Sequence, residues 1–338
     1  MILHAYKNKN LESKEIEKYC DKVYYYKRNG LFFSNFSKVP FIVFSRRNKL
    51  LIERLLKDSH PIIFEGIHTT YPLLKNNFSN RIVAVRMHNI EQNYYNGLAS
   101  NERRLYKKLF FKLEAIKIKK FESIINKVNY IFTISPLETQ YYQSIANEQT
   151  RYIPVFHEND SVVIPDDNEQ FALFHGNLSV SENTAAVNFL IAVFKEISYR
   201  LVVAGSCLPK NIATKISMYS NISFVDISDD LVLKELFLKT HIHVLPTSQN
   251  TGIKLKLINA LYSGKHVIAN DKMALNTGLE SACIIANSVD EYREKVLEYA
   301  TIQITSNEIK NREELLKEFQ TNENALKIVT LFKLLSDS

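Results

Sequence analysis

The strongest constraint on the fold of this chain is a regular alternation of short apolar runs and helical segments over residues 171–287. The apolar runs are rich in β-branched residues, and each is too short to form a helix of ordinary length. They are FALFHG (171–176), RLVVAG (200–205), ISFVD (222–226), HIHVLP (241–246), KHVIAN (265–270) and CIIAN (283–287). Segments with helical spacing separate them at 183–197, 209–219, 229–240 and 252–264. This alternation predicts a Rossmann-like domain, in which helices cover both faces of a parallel sheet.

The N-terminal half shows the same alternation of short apolar runs and helical segments. Its candidate strands are residues 22–28, 61–66, 81–88, 130–135 and 151–156. A long helical stretch, from about Asn101 to Asn126, lies between the third and the fourth of them. This half therefore predicts a second α/β domain.

The segment HENDSVVIPDDNE (157–169) is polar, acidic and proline-containing, which is typical of an interdomain linker. We therefore predict an α/β protein of two doubly wound parallel-sheet domains, residues 1–160 and 161–305, facing a shared cleft. Residues 306–338 are predicted to form terminal helices that return towards the first domain. Ligands of such open sheets bind at the carboxyl ends of the strands.

The composition is that of a globular protein, with 46% hydrophobic and 23% charged residues among 338. No apolar run reaches the length of a membrane span, and the first residues lack the pattern of a signal peptide. Three separate cysteines, Cys20, Cys207 and Cys283, indicate thiols in a reducing compartment, so we expect a cytoplasmic protein. A net charge of +7 fits an anionic partner or a lysine-rich surface equally well.

Residues 247–270 hold the richest candidate site. A strand ends at Pro246, a polar loop follows, and a helix is predicted to open at Gly252. Lys254 would then lie in the first helical turn, where a cation is unfavourable unless a phosphate is bound beside it. Lys256 would face elsewhere unless the start of the helix is irregular. The alternative is that both lysines are solvated surface residues.

The same segment resembles the nucleotide-sugar site of GT-B-fold, retaining glycosyltransferases of the family 4 type. Residues 260–269 are similar to the family pattern AMAxGxPVVA, and the preceding residues are similar to GTGIKxK. The resemblance implies that Gly252, Ile253 and Lys254 cradle the donor diphosphate. It implies donor-side positions also for Thr251, Lys256 and Asn259.

Two further segments carry this resemblance. FHGNLSVSEN (174–183) is similar to a strand and loop that line the donor phosphates, which implicates Gly176, Asn177 and Asn183. VRMHNIEQNYYNGLA (85–99) is similar to a subgroup of bacterial capsule and lipopolysaccharide transferases. There a histidine at a strand end touches the transferred sugar, and here that residue is His88. Glu91 is interpreted as orienting His88 or as complementing a helix dipole.

The chain departs from the family at two places. Two glutamates of the family correspond to Thr251 and Asn259, so a ribose contact of Asn259 would be uncharged. The first strand and its glycine-rich loop have no counterpart, because MILHAYKNK is similar to the second strand. Either the true start lies upstream, or the protein lacks part of its acceptor site. A sheet without its central strand exposes apolar surface and backbone groups, so we expect marginal stability or a compensating partner.

Glu65 and His68, in and after the run PIIFEG, are candidates to bind an acceptor hydroxyl. The alternative is that they are polar residues satisfied at a strand end. No Asp-x-Asp motif and no zinc-like spacing of His and Cys occur, so we expect a metal-independent enzyme without a cofactor. The basic helical segment 103–124 is consistent with peripheral contact with the inner membrane, or with a surface helix packed on the core. No nucleic-acid-binding module is recognisable.

These observations predict a hexosyltransferase that uses a nucleotide-diphosphate sugar. The resemblance implies a surface-polysaccharide or lipid-linked glycan as the acceptor. Two alternatives stay open: a non-catalytic GT-B partner subunit and a sugar-nucleotide epimerase of the same architecture.

Overall fold

A computed structural model describes residues 1–7, 14–30, 37–164, 170–227, 230–248 and 254–336. The chain divides into two compact units. The first contains Met1–Ile153 and Leu326–Ser338, and the second contains Pro154–Ala325. The division thus falls before the predicted boundary at residue 160, and the end of the last helix belongs to the first unit.

Six parallel strands of the first unit form two separate sheets. The strands are β1 (Ile2–Lys7), β2 (Lys22–Lys27), β3 (Ile62–Glu65), β4 (Val83–Met87), β5 (Tyr130–Thr133) and β6 (Thr150–Tyr152). β1 pairs with β2 alone, and the other sheet has the order β3-β4-β5-β6. Within the described residues no ladder joins the two sheets. The expected marginal stability stays a prediction.

Side chains bridge the space that the ladders leave open. Tyr26 of β2 is buried in the same apolar cluster as Ile62 and Phe64 of β3. The Tyr26 hydroxyl also receives a hydrogen bond from Arg54 at 3.0 Å and lies 2.8 Å from His4 Nδ1. Packing and side-chain hydrogen bonds therefore attach the small sheet to the core of this unit.

The helices of the first unit connect these strands. They are α1 (Lys14–Glu17), α2 (Phe41–Phe44), α3 (Lys49–Leu55), α4 (Tyr71–Lys75), α5 (Glu91–Asn101), α6 (Leu105–Phe121) and α7 (Pro136–Ala146). Short 3₁₀ turns lie at Ile67–Thr69, Glu122–Lys127 and Asn147–Gln149.

The predicted helical stretch from about Asn101 to Asn126 corresponds to α6 and the 3₁₀ turn that follows it, and α6 begins at Leu105. The backbones of Glu102 and Arg104 are extended, so a break separates α5 from α6. The predicted strand at 151–156 was too long. It ends at Tyr152, two residues before Pro154, which cannot donate a ladder hydrogen bond.

The second unit contains one six-stranded parallel sheet with the order β12-β11-β10-β7-β8-β9. Its strands are β7 (Ala172–Asn177), β8 (Leu201–Ser206), β9 (Ile222–Asp226), β10 (Ile242–Leu245), β11 (His266–Ala269) and β12 (Ile284–Ile285). All six lie within one residue or two of the runs that predicted them. β7, β8, β10 and β11 are almost wholly buried, as expected of strands covered on both faces.

Eight helices of the described chain follow these strands or end it. They are α8 (Ser181–Phe194), α9 (Lys210–Ile216), α10 (Asp230–Phe237), α11 (Leu255–Tyr262), α12 (Asp271–Ala274), α13 (Val289–Tyr299), α14 (Ser306–Leu316) and α15 (Thr321–Ser336). The predicted terminal helices are α14 and α15. α11 begins at Leu255, so the prediction that it opens at Gly252 finds no support among the described residues.

Close strand packing leaves no room for a side chain at Gly205 of β8. A Cβ at this position would lie 2.5 Å from the backbone oxygen of Gly176 on β7. We expect Gly205→Ala to lower the free energy of unfolding by about 1–3 kcal/mol, because neither strand backbone can move without disturbing the sheet. Urea denaturation measures this loss. Gly97→Ala is the control, since a Cβ there meets nothing within 4 Å, and in α5 it should stabilise by about 0.5–1 kcal/mol. Equal effects of the two changes would contradict the interpretation.

Candidate functional site

The strand order of the second unit creates a topological switch point between β7 and β10. From β7 the chain first builds one side of the sheet with β8 and β9, and it later returns to add β10, β11 and β12 on the other side. The connections after β7 and β10 therefore diverge at the carboxyl edge of the sheet. Open α/β sheets bind their ligands in the crevice that this divergence leaves.

Gly176, Asn183 and Lys256 meet at this edge. Gly176 is near the end of β7, Asn183 lies in the first turn of α8, and Lys256 lies in the first turn of α11. A Cβ at position 176 would lie 2.7 Å from Lys256 Nζ and 2.9 Å from Asn183 Nδ2. Only a glycine lets the lysine come this close to β7.

A chain of hydrogen bonds holds the group in place. Lys256 Nζ donates to Asn183 Oδ1 at 2.6 Å, and Asn183 Nδ2 donates to the backbone oxygen of Asn177 at 2.7 Å. Asn177 Oδ1 in turn accepts from the Ser179 amide at 2.9 Å. Lys256 Nζ also lies 4.7 Å from the centre of the Phe174 ring. The structure thus brings together Gly176, Asn177, Asn183 and Lys256, which the sequence resemblance had assigned to one site.

Lys256 is a cation that is partly removed from solvent. Burial lowers its pKa to about 8, although the negative charge of Glu182 acts in the opposite direction. Glu182 itself accepts a hydrogen bond from the Thr247 hydroxyl. A desolvated ammonium group gains more from a bound anion than a solvated one, so this position is suited to a phosphate. Lys256 was expected to face elsewhere unless the start of the helix is irregular, and the start is irregular: Lys254 has non-helical backbone angles and α11 begins at Leu255.

Asn270 was not singled out by the sequence. Its Oδ1 accepts from the Thr247 amide at 3.1 Å, and its Nδ2 donates to the Thr247 backbone oxygen at 2.7 Å. This pair of bonds fixes the start of the loop after β10. An asparagine at the end of a strand run was the only signal of this role.

Other predicted donor-side residues are placed less directly. Thr251, Gly252 and Ile253 lie outside the described residues. Lys254 is half-buried at the N-cap of α11, and its role stays a prediction. Asn259 lies three residues after Lys256 on the same helix, and its Oδ1 accepts from Asn159 Nδ2 at 2.8 Å.

In the first unit, Glu65, His68 and His88 lie together at the carboxyl edge of the four-stranded sheet. Glu65 ends β3, and His88 follows β4. His88 Nε2 lies 2.7 Å from Glu65 Oε2, and the His68 and His88 ring centres are 6.5 Å apart. Because a carboxylate only accepts, His88 donates to Glu65 through Nε2. Gly66 makes the turn between Glu65 and His68 possible, with a φ of 81° and a would-be Cβ 2.4 Å from the His68 ring.

Burial and charge set the ionisation of this cluster. Burial alone would raise the pKa of Glu65, but the hydrogen bond from His88 and the charge of Arg86 outweigh it, and the net shift is downward. Burial lowers the pKa of His68 to about 3, helped by the positive charges of Arg46, His88 and Arg28. At neutral pH the cluster therefore contains an ionised Glu65 and a neutral His68.

Glu91 begins α5, and burial raises its pKa while the charges of His88 and Arg46 oppose the shift. Within the described residues no hydrogen bond joins Glu91 to His88; Glu65 makes that contact instead. Arg46 and Arg28 were missed by sequence reasoning, since neither lies in a recognisable motif.

The described residues contain neither a membrane-spanning helix nor a cluster of metal ligands. No helix among them is long and apolar enough to cross a membrane. No group of three or more His, Cys, Asp or Glu side chains in the same residues is arranged to hold a metal ion. Metal-independent chemistry stays a prediction.

The second unit matches a known family model, and most of the chain is similar in sequence to a known protein. Residues 169–301 match the family model described as glycosyl transferases group 1. A Klebsiella pneumoniae protein, described as an uncharacterized 44.6 kDa protein in the cps region, is 25% identical over 306 residues, covering 84% of this chain and 77% of that protein.

Solved structures support the fold. A variant of S. aureus TarM, in complex with Fondaparinux, alpha-GlcNAc-glycerol and UDP, has a TM-score of 0.61 at 15% identity, covering 86% of this chain. This chain spans 58% of the length of that TarM structure. Anabaena Alr3699/HepE, in complex with UDP and glucose, has a TM-score of 0.59 at 12% identity, covering 94% of this chain and 88% of that one. The chain therefore has the α/β fold of GT-B glycosyltransferases, with a match to the group 1 glycosyl transferases over residues 169–301.

Proposed function

We propose that this protein is a retaining, metal-independent glycosyltransferase that moves a hexose from a nucleotide-diphosphate sugar to a surface-polysaccharide or lipid-linked glycan. One observation carries the proposal. Lys256, Asn183 and Gly176 converge at the switch point of a sheet whose sequence matches the group 1 glycosyl transferases. That is the position at which this class of sheet binds a nucleotide.

The donor diphosphate would lie against Lys256 and the first turns of α8 and α11. Departure of the nucleotide diphosphate leaves negative charge on the phosphate oxygens and positive charge on the sugar. A fixed ammonium group and helix N-termini stabilise the leaving group without reorganising during the reaction. The two solved structures crystallised with UDP support a nucleotide diphosphate as the ligand.

His88 and Glu65 would act on the sugar or on the acceptor. Glu65 holds the His88 ring through Nε2, which leaves Nδ1 to form a hydrogen bond with a hydroxyl. His68, kept neutral, would add a second uncharged polar contact. The Klebsiella relative, named for a cps region, supports a surface polysaccharide as the acceptor class.

The site of action would be the cytoplasm. Cys20, Cys207 and Cys283 are free thiols in the structure, which suits a reducing compartment.

A second candidate function is a non-catalytic partner subunit. The division of the first unit into two sheets and the engagement of Asn259 by Asn159 favour it. The first feature departs from the single sheet expected of the acceptor domain, and the second occupies an amide oxygen that would otherwise be free to contact the ribose. The contacts of Lys256 with Asn183 and Gly176 instead favour a protein that binds a donor.

A thermal-shift titration with UDP, GDP, dTDP and their sugars separates these candidates. A ligand that binds only the folded protein raises its melting temperature according to its affinity. A shift with one nucleotide, followed by turnover of its sugar in the presence of acceptor, supports the transferase. A shift without release of nucleotide from any sugar supports the partner subunit, and no shift with any nucleotide contradicts the proposed donor site.

Donor binding should depend on pH through Lys256. In the free protein its pKa is about 8, and a bound diphosphate would raise that pKa. Binding near or above pH 8 should then take up a proton, and affinity should fall by up to about tenfold per pH unit above 8. Calorimetric titration at pH 8.5 in two buffers of different ionisation enthalpy measures the uptake. Lys256→Met should abolish it; an uptake that persists in this variant would assign the proton to another group.

A further inference from the structure

Two arginines of the first unit follow elements that end beside each other. Arg28 is the residue after β2, and Arg46 comes shortly after α2. Asn29 joins the two segments, because its amide donates to the Ser45 backbone oxygen at 2.7 Å and its Nδ2 donates to the Arg47 backbone oxygen at 2.8 Å. These bonds bracket Arg46 and hold its backbone close to that of Arg28. The two residues are called the arginine pair below.

The arginine pair lies beside the histidine cluster at the carboxyl edge of the four-stranded sheet. α2 packs on the 3₁₀ turn Ile67–Thr69, which contains His68. Burial lowers the pKa of His68, and the positive charges of Arg46 and Arg28 add to this effect. The charge of Arg46 also opposes the rise in the pKa of Glu91 at the start of α5. The pair therefore borders the residues that we propose to act on the sugar or on the acceptor.

Neither side chain of the arginine pair has an acidic partner within the described residues. Arg46 Nη1 donates to the Ile42 backbone oxygen at 2.5 Å, and the Arg28 side chain makes no hydrogen bond or ion pair with the described chain. Arg81 of the same unit, by contrast, pairs with Asp58 at 2.8 Å. Both side chains of the pair are partly exposed, and a guanidinium group carries five N–H donors. Most of these donors are therefore available to a ligand.

The carboxylates near the arginine pair do not neutralise it. Glu65 already accepts from His88 and pairs with Arg86 at 3.6 Å. Burial raises the pKa of Glu91, which disfavours its ionised form. Burial also lowers the pKa of Arg46 to about 10, and the positive charge of Arg28 adds to that shift. Two cations that repel each other and are partly removed from water gain most from a bound anion.

We propose that Arg28 and Arg46 form a subsite for an anionic group of the acceptor, either a carboxylate or a phosphate that the glycan carries. That the ligand is an acceptor rests on the proposed function, whereas the anion subsite does not. A guanidinium fork binds both kinds of group through two parallel N–H···O bonds. An acidic acceptor would be preferred over a neutral one, because a neutral sugar leaves both charges without a partner.

Calorimetric titration of the full chain carrying Lys256→Met tests the subsite. This background removes the cation proposed for the donor diphosphate. The probes are glucuronic acid and glucose 6-phosphate, with glucose as the neutral counterpart. We expect at least one anionic probe to bind at least about tenfold more tightly than glucose, and the tighter of the two identifies the group as carboxylate or phosphate. Arg28→Gln and Arg46→Gln should each weaken the binding of that probe about tenfold, because each removes charged hydrogen-bond donors.

Arg47→Gln is the matched control. Arg47 is the next residue along the chain, but its guanidinium lies 3.9 Å from the centre of the Phe44 ring, so its removal should leave probe binding unchanged. Melting temperatures show whether the variants fold. Arg28→Gln carries the test if Arg46→Gln does not fold, since only Arg46 makes a side-chain hydrogen bond within the described residues.

Equal binding of glucose and the anionic probes, or probe binding that survives both arginine substitutions, would overturn the proposal. So would the absence of binding by either anionic probe. In the protein that retains Lys256, Arg28→Gln should leave the nucleotide thermal shift unchanged; its loss would assign the arginines to the donor and overturn the proposal as well. Arginine-dependent binding of an anionic probe by a protein that transfers no sugar would support the subsite and contradict only the transferase.

Discussion

Replacing Lys256 by methionine is expected to weaken binding of the donor nucleotide about 10- to 100-fold. Methionine keeps most of the side-chain length but removes the ammonium group that donates to Asn183. A hydrogen bond to a charged group contributes about 1.5–3 kcal/mol, which corresponds to this range of affinity. The thermal shift produced by the nucleotide measures the loss.

Lys215→Met is the matched control. Lys215 Nζ also donates to an asparagine of α8, Asn188 Oδ1, at 2.5 Å, but it does so from α9. Its removal should leave the nucleotide shift intact. Lys254→Met forms a third arm, because the resemblance assigned the diphosphate to Lys254. Full binding by the Lys256 variant, together with loss in the Lys254 variant, would move the site to the loop before α11.

Replacing His88 by glutamine is expected to lower the transfer rate by about 10²–10⁴ while leaving the nucleotide shift unchanged. The imidazole that Glu65 orients would be lost, and positioned proton-transfer or hydrogen-bonding groups contribute on this scale. Initial rates of nucleotide release with saturating donor measure the effect. A loss of donor binding in this variant would contradict the assignment of His88 to the chemical step.

Two further variants sharpen this test. Glu65→Gln removes the charge that orients His88 but keeps a hydrogen-bond acceptor, so its rate should lie between the wild type and the His88 variant. The pKa of Glu65 is lowered, and the acid limb of the rate profile should therefore lie below the ordinary range of a glutamate and disappear in Glu65→Gln. His60→Gln changes an exposed histidine of the same unit and should have no effect on the rate.

The fold of the second unit could be predicted from the sequence, because buried parallel strands carry a strong local signal. Runs such as 222–226 are apolar and β-branched, and their bounds agree with the observed β9. In the first unit the break between α5 and α6 was harder to predict, because nothing in the sequence around Glu102 and Arg104 forbids a helix. Their extended backbones separate α5 from α6, which then pack on each other around Tyr95, Ala115 and Ile118.

Part of the candidate site could also be predicted from the sequence. The resemblance grouped Gly176, Asn183 and Lys256, and the structure shows them in contact. The helical period does not relate Lys254 to Lys256, because Lys254 lies outside the regular helix, which begins at Leu255. The contact of His88 with Glu65 could not be read from the chain, since 23 residues separate the two.

The sequence by itself determined the elements of this protein and their approximate order, because hydrophobic periodicity and turn residues act over short distances. The tertiary structure alone decided which strand edges meet, that among the described residues no ladder joins β1 and β2 to β3, and that a glycine on β7 makes room for Lys256. It also decided that one apolar face of α6 stays exposed while another packs on the core. Such outcomes depend on burial and on contacts between distant segments, and no local pattern of residues encodes them.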